Sequence, residues 1–205
     1  MVAARNSNVA FCVLLAGTGI RGDKLLLRQT NDISKAMGTP DSIRMSEDQT
    51  NRKAFDIILN TKDIEKQKSE LAALIRENVQ KMAQDAAPEE VEKRQAAILQ
   101  QLTSPWFQYF VKYDPAPTLS KVKCRVLALN GERDLQVSPK ENLTAIRKAL
   151  EAGGNKNFRI VELPGLNHLF QECQTGVPSE YGSIEQTFSP KALETIAKWI
   201  KENKI

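Results

Sequence analysis

Two short strand-like segments in the second half of the chain set the strongest limit on what it can fold into. Val126-Leu127-Ala128-Leu129 is closed by Asn130-Gly131, and the stretch Phe158 to Leu163 is closed by Pro164-Gly165. Both are short and stop at turn residues, so the first, apolar throughout, reads as a buried strand and the second as the next strand. Between them, Ser138-Pro139-Lys140-Glu141 is a helix start: Ser138 as N-cap, Pro139 at the first helical position, Glu141 completing a capping box. Leu143, Ile146 and Leu150 give that helix one apolar stripe, and Gly153-Gly154 ends it. After the second strand, a loop holding His168 leads to Ser189-Pro190. That pair opens a last helix with Leu193, Ile196, Ala197 and Ile200 on one face. Strands and helices that alternate through short connections imply an α/β fold with a parallel sheet covered by helices.

The first 20 residues hold one more strand-like run, Val9 to Ala16, stopped by Gly17-Thr18-Gly19. Met1 to Ala4 read as the last turn of a helix. Residues 21–118 are helical in texture. Leu25, Leu26, Ile33 and Met37 suit a helix capped by Gly38. Ser46 opens another that continues through Phe55, Ile58 and Leu59. Ile64, Leu71, Leu74, Ile75, Val79 and Met82 share a helical stripe, and the charged run from Lys62 to Lys81 is its solvated face. Pro88 starts a helix through Val91, Ile98 and Leu102. Ser104-Pro105 starts a short aromatic segment that Asp114-Pro115-Ala116-Pro117 breaks. The expected domains are therefore a core from residues 1–20 and 119–205, with a helical insertion over 21–118.

Bulk properties exclude several function classes. The chain has 205 residues, 41% of them hydrophobic, which is enough for a real core. Its net charge of +4 comes from interspersed Lys, Arg, Asp and Glu, without the one-signed stripe of a nucleic-acid binder. No run approaches the ~20 apolar residues of a membrane span. The start shows no basic stretch leading into an apolar run and a cleavage site, so localisation, cytoplasmic or exported, stays open. The three cysteines, Cys12, Cys124 and Cys173, match no zinc spacing, and Cys12 and Cys124 read as buried free thiols. A single His argues against a His-based metal site. Gly17-Thr18-Gly19 lacks the spacing and the following Lys of a phosphate loop.

Ligands of open α/β sheets sit at the carboxyl ends of the strands. Two chemistry-bearing residues fall there: Asp134 in the loop after Val126–Leu129, and His168 in the loop after Phe158–Leu163. If the two strands pair, the loops meet, because neighbouring strands lie ~5 Å apart. A buried Asp accepting from one ring nitrogen fixes the His tautomer and leaves the other nitrogen as a general base for a hydroxyl nucleophile. Each residue also has a plainer reading, Asp134 as a turn residue and His168 as a structural histidine.

These segments resemble the α/β hydrolases, in particular bacterial esterases and serine peptidase relatives with a helical lid. The matching residues are Val126 to Asp134 with Val137 and Pro139, then Pro164-Gly165-Leu166-Asn167-His168-Leu169-Phe170. The resemblance implies Asp134 as triad acid, with Glu132 as runner-up, and His168 as base. It implies that Val2 to Gly17 follow the nucleophile, that 21–118 is the lid, and that no metal or organic cofactor takes part. The family's Gly-x-Ser-x-Gly elbow is missing. None of the serines, from Ser7 to Ser189, sits between two glycines at that spacing. The resemblance places the elbow shortly before Met1, so the chain is expected to be the C-terminal portion of a longer ester hydrolase, inactive alone. Trp106, Phe107 and Phe110 are candidates for an acyl pocket or for plain core. The expected substrate is a small ester or short peptide. The sheet edge beside Val9–Leu15 invites a second copy. The same fold also serves as peptidase, thioesterase, dehalogenase or non-catalytic binding module.

Overall fold

The computed structural model describes residues 1–82 and 87–202; the side chain of Met82, placed above on a helical stripe, lies outside the described set. After a 3-10 turn at Val2–Ala4, the elements are β1 (Phe11–Leu15), α1 (Gly22–Ala36), α2 (Asp41–Asn60), α3 (Ile64–Met82), α4 (Pro88–Thr103), α5 (Pro105–Lys112) and α6 (Ala116–Leu119). Then come β2 (Arg125–Gly131), α7 (Pro139–Ala152), β3 (Phe158–Leu163), a 3-10 turn at Pro178–Ser183, and α8 (Pro190–Glu202). The chain is mixed α/β with a small parallel sheet. It forms two compact units, Met1–Thr39 with Asp114–Ile205, and Pro40–Tyr113.

In the first unit three parallel strands lie in the order β1-β2-β3. Phe11 pairs with Arg125 and Leu15 with Leu129; Val126 pairs with Phe158 and Gly131 with Leu163. Apolar side chains of β2 alternate between two layers. Leu127 and Leu129 face a core shared with Leu163, Leu166, Phe170, Ala192 and Trp199. Val126 and Ala128 face the opposite core with Leu143, Ile146 and Leu150 of α7. Cover on both faces explains why β2 is an unbroken apolar run instead of an alternating one. Each fully buried leucine there contributes about 1.5–3 kcal/mol. In α1, Asp23 is buried yet held below the usual carboxylate range. Burial opposes its charge most strongly, but the Arg21 guanidinium, at 2.6 and 2.8 Å, together with the Lys24 backbone N–H and ammonium, outweighs that cost.

The second unit is helical. Among the described residues, Ala54, Phe55 and Ile58 of α2, Leu71, Ile75 and Val79 of α3, and Phe107 and Val111 of α5 are its buried apolar residues. Phe55 and Phe107 meet at 6.3 Å. Ser104 caps α5, accepting from Phe107 N at 3.3 Å, and the outer face carries pairs such as Arg52–Asp48 and Lys81–Glu77.

Several local expectations are corrected. β1 runs from Phe11 to Leu15 and is half-buried, with Leu15 exposed, because it is an edge of the sheet. The helix expected from Ser46 begins at Asp41, after Pro40. Met37 and Ile64 are exposed, and α1 buries Leu27 beside the expected Leu25. Ser138 occupies the N-cap of α7, but its side chain makes no cap bond, and the Glu141 carboxylate accepts from Arg28 at 3.0 Å. The buried face of α8 centres on Ala192 and Trp199, the latter edge-on to Phe11 at 5.8 Å; Leu193 is exposed. Cys12 and Cys124 are half-buried. Among the described residues no helix is long and apolar enough to cross a membrane.

Candidate active site

The in-register pairing of Gly131 with Leu163 makes the loops after β2 and β3 leave the sheet at the same level. Glu132 N donates to Leu163 O at 2.9 Å and Arg133 N to Leu166 O at 2.9 Å, so the two loops run as one hydrogen-bonded layer. Gly131 permits this closeness. A Cβ there would stand 2.2 Å from Leu166 O and 2.6 Å from Asn167 O. Gly165, at φ +73°, turns the chain out of β3 in a conformation suited to glycine.

Asp134 is 2% exposed and surrounded by donors. Its Oδ1 accepts from Gln136 N at 2.9 Å and Val137 N at 2.8 Å, a local turn that leads into α7. Its Oδ2 accepts from Asn130 Nδ2 at 3.1 Å and faces His168 Nδ1 at 3.0 Å. Four donors on two oxygens suit an acceptor-only, ionised carboxylate. That acceptor places the ring proton on Nδ1 and leaves the Nε2 lone pair of a neutral His168 available. The His168 side chain is about a quarter exposed, at 26%. Among the described residues no serine, threonine or cysteine side chain hydrogen-bonds the ring.

The carboxylate of Glu132 serves elsewhere. It accepts from Gly165 N at 2.9 Å and braces the Pro164-Gly165 turn. Two asparagines stand out only in three dimensions. Asn130, fully buried, donates to both Asp134 Oδ2 and Val137 O, and its own Oδ1 has no partner among the described residues. Asn167, also fully buried, accepts from Leu169 N and Gln171 N with its side-chain oxygen and shapes the turn that aims His168. Both lie inside the sequence motifs, at Asn-Gly and Leu-Asn-His, but their bonding depends on neighbours the sequence does not reveal.

A further loop packs beside the acid. Arg133 Nη1 donates to Cys173 O and Gln174 O, and Gln136 Nε2 donates to Tyr181 Oη at 3.1 Å. Glu180 closes this loop. It accepts from the Gln174 backbone N–H, the Thr175 hydroxyl and the Gly176 and Thr175 N–H groups, which hold its carboxyl down to about 2. Nothing in the sequence motifs pointed to Glu180.

Trp106, Phe107 and Phe110 belong to the helical unit. Phe107 is buried there, whereas Trp106 is 69% exposed and stacks on Phe110 at 5.2 Å. Among the described residues no three His, Cys, Asp or Glu gather as a metal-binding group. Compared with protein-family models, with curated proteins and with solved structures, the chain matches none.

Two outcomes follow from this geometry. Gly131→Ala should cost roughly 1–3 kcal/mol in urea unfolding, because its Cβ meets two backbone carbonyls. Gly182→Ala, with nothing within 4 Å, should stay within about 0.5 kcal/mol; equal costs would contradict the close-approach argument. Glu180 has a folded value of about 2 against an ordinary 4.5. Its contribution is therefore complete above the ordinary value and lost as pH falls through about 2. Hydrogen exchange over residues 173–183 should be faster in Glu180→Gln than in the parent at about pH 5, with the gap closing toward pH 2. Equal exchange at about pH 5 would rule the clamp out.

Proposed function

We propose that this chain is the acid- and histidine-bearing part of a serine hydrolase of the α/β-hydrolase type that cleaves carboxylic esters through an acyl-enzyme. The observation carrying this reading is the 3.0 Å contact from Asp134 Oδ2 to His168 Nδ1, at the carboxyl ends of two adjacent parallel strands. Asp134 orients the ring and stabilises the imidazolium that forms. His168 Nε2 takes the proton of a serine hydroxyl during acylation and gives it to the leaving alcohol. It then activates water for deacylation. None of these steps calls for a metal or organic cofactor.

In this reading the serine lies outside the 205 residues, and the open edge of β1 is where its strand adds. The helical unit Pro40–Tyr113 is the part we assign to the lid, with exposed Trp106 and its stacking partner Phe110 as candidates for contact with the acyl chain.

The chain alone should fail to react stoichiometrically with a labelled fluorophosphonate. A polypeptide extended upstream to include the nucleophile should label. In that extended protein His168→Ala and Asp134→Ala should each lower kcat by roughly 10⁴-fold or more. Stoichiometric labelling of the present chain, or esterase activity that survives His168→Ala, would defeat the proposal.

A further inference from the structure

The amino ends of the strands carry a second arrangement, unrelated to Asp134 and His168. Cys12, the second residue of β1, and Cys124, just ahead of β2, bring their sulfurs to 3.8 Å although they are 112 positions apart. Both are half-buried. Cys124 also lines a cleft of about 580 Å³, together with Arg5, Lys121 and Lys123. No carboxylate lines that cleft. Among the described residues none of the three cations is in an ion pair, although Lys123 Nζ donates to Gly153 O. The third thiol, Cys173, follows β3 and stands at the opposite end of the sheet.

We infer that Cys12 and Cys124 form a dithiol–disulfide site whose basic cleft admits a small anionic disulfide of the glutathione class as oxidant. A bonded pair requires the sulfurs to close to about 2.05 Å, a movement within reach of side-chain rotation. In the first step the Cys124 thiolate attacks one sulfur of the bound disulfide. That S–S bond breaks, and one small thiol leaves, taking up the proton Cys124 lost. In the second step the Cys12 thiolate attacks Cys124 Sγ, the new mixed bond breaks, and the second small thiol leaves with the proton of Cys12. Two protein thiols are oxidised and one disulfide is reduced to two thiols. Burial first, and the neighbouring Cys12 second, push the Cys124 thiol up to about 11. The exchange is therefore slow at neutral pH, since only the thiolate attacks.

The cross-link would tie β1 to β2 across the whole helical unit. Closing so long a loop constrains the unfolded chain strongly and should raise Tm by roughly 5–10 °C.

The test exposes the unaltered chain to glutathione disulfide, then alkylates free thiols and maps peptides by mass spectrometry. The expected product joins the Cys12 and Cys124 peptides, with loss of two hydrogens, while Cys173 stays free or carries glutathione. Cys12→Ser and Cys124→Ser should each trap glutathione on the remaining partner or stay reduced. Cystamine, a cationic disulfide, should oxidise the pair roughly tenfold more slowly at low salt. That preference should disappear in Arg5→Glu/Lys121→Glu. A pair that stays reduced, or that stops at a glutathione adduct, overturns the dithiol site. A cystamine rate equal to that of glutathione disulfide, or a preference unchanged in the double variant, overturns the role of the cleft.

Discussion

The arrangement at the carboxyl edge of the sheet depends on the parallel, in-register pairing of β2 with β3. Because Gly131 stands opposite Leu163, the two following loops start level and can share backbone hydrogen bonds from their first residues. A one-residue slip would turn every side chain of one strand to the other face. It would push Leu127 and Leu129 into the layer packed on α7, and Val126 and Ala128 into the layer of Leu163 and Trp199, where neither pair matches the surrounding side chains. The two-sided core thus fixes the register, and the register fixes the distance between the acid and the imidazole.

On that frame the buried polar groups hydrogen-bond to one another. Burying a carboxylate is costly unless its oxygens are satisfied. Asp134 meets the condition with two backbone N–H groups, the Asn130 amide and the His168 ring. Asn130 spans Asp134 and Val137, Asn167 shapes the histidine turn, and Glu132 holds Gly165. Each loop is fixed by side chains from itself or its neighbour, which leaves the ring little freedom to rotate away from the carboxylate. Preorganisation of this kind would suit the general-base role proposed for His168.

Much of this was legible in the sequence, and the reasons differ by element. β3 matches its expected bounds, and β2 extends the expected run by a few residues, because short strand-like segments closed by Asn-Gly and Pro-Gly have few other uses. The meeting of Asp134 and His168 followed from their places after those runs. Features decided by distant residues were not legible. Arg28 takes Glu141 away from the capping box of α7. Trp199 reaches Phe11 and sets the buried face of α8 in place of Leu193. The Glu180 clamp joins groups a few residues apart, yet it depends on a backbone turn that composition does not announce. The Cys12–Cys124 contact requires knowing which strands are neighbours.

The central claim is that the Asp134 carboxylate holds the His168 imidazole with its proton on Nδ1. His168 is the only histidine in the chain, so its ring nitrogens can be observed without assignment ambiguity. Long-range ¹H–¹⁵N correlation on the neutral ring should show Nδ1 protonated and Nε2 bare, and Asp134→Ala should move the ring toward the Nε2-protonated form that free histidine prefers. An Nε2-protonated ring in the unaltered protein, or a tautomer balance indifferent to Asp134→Ala, would contradict the account.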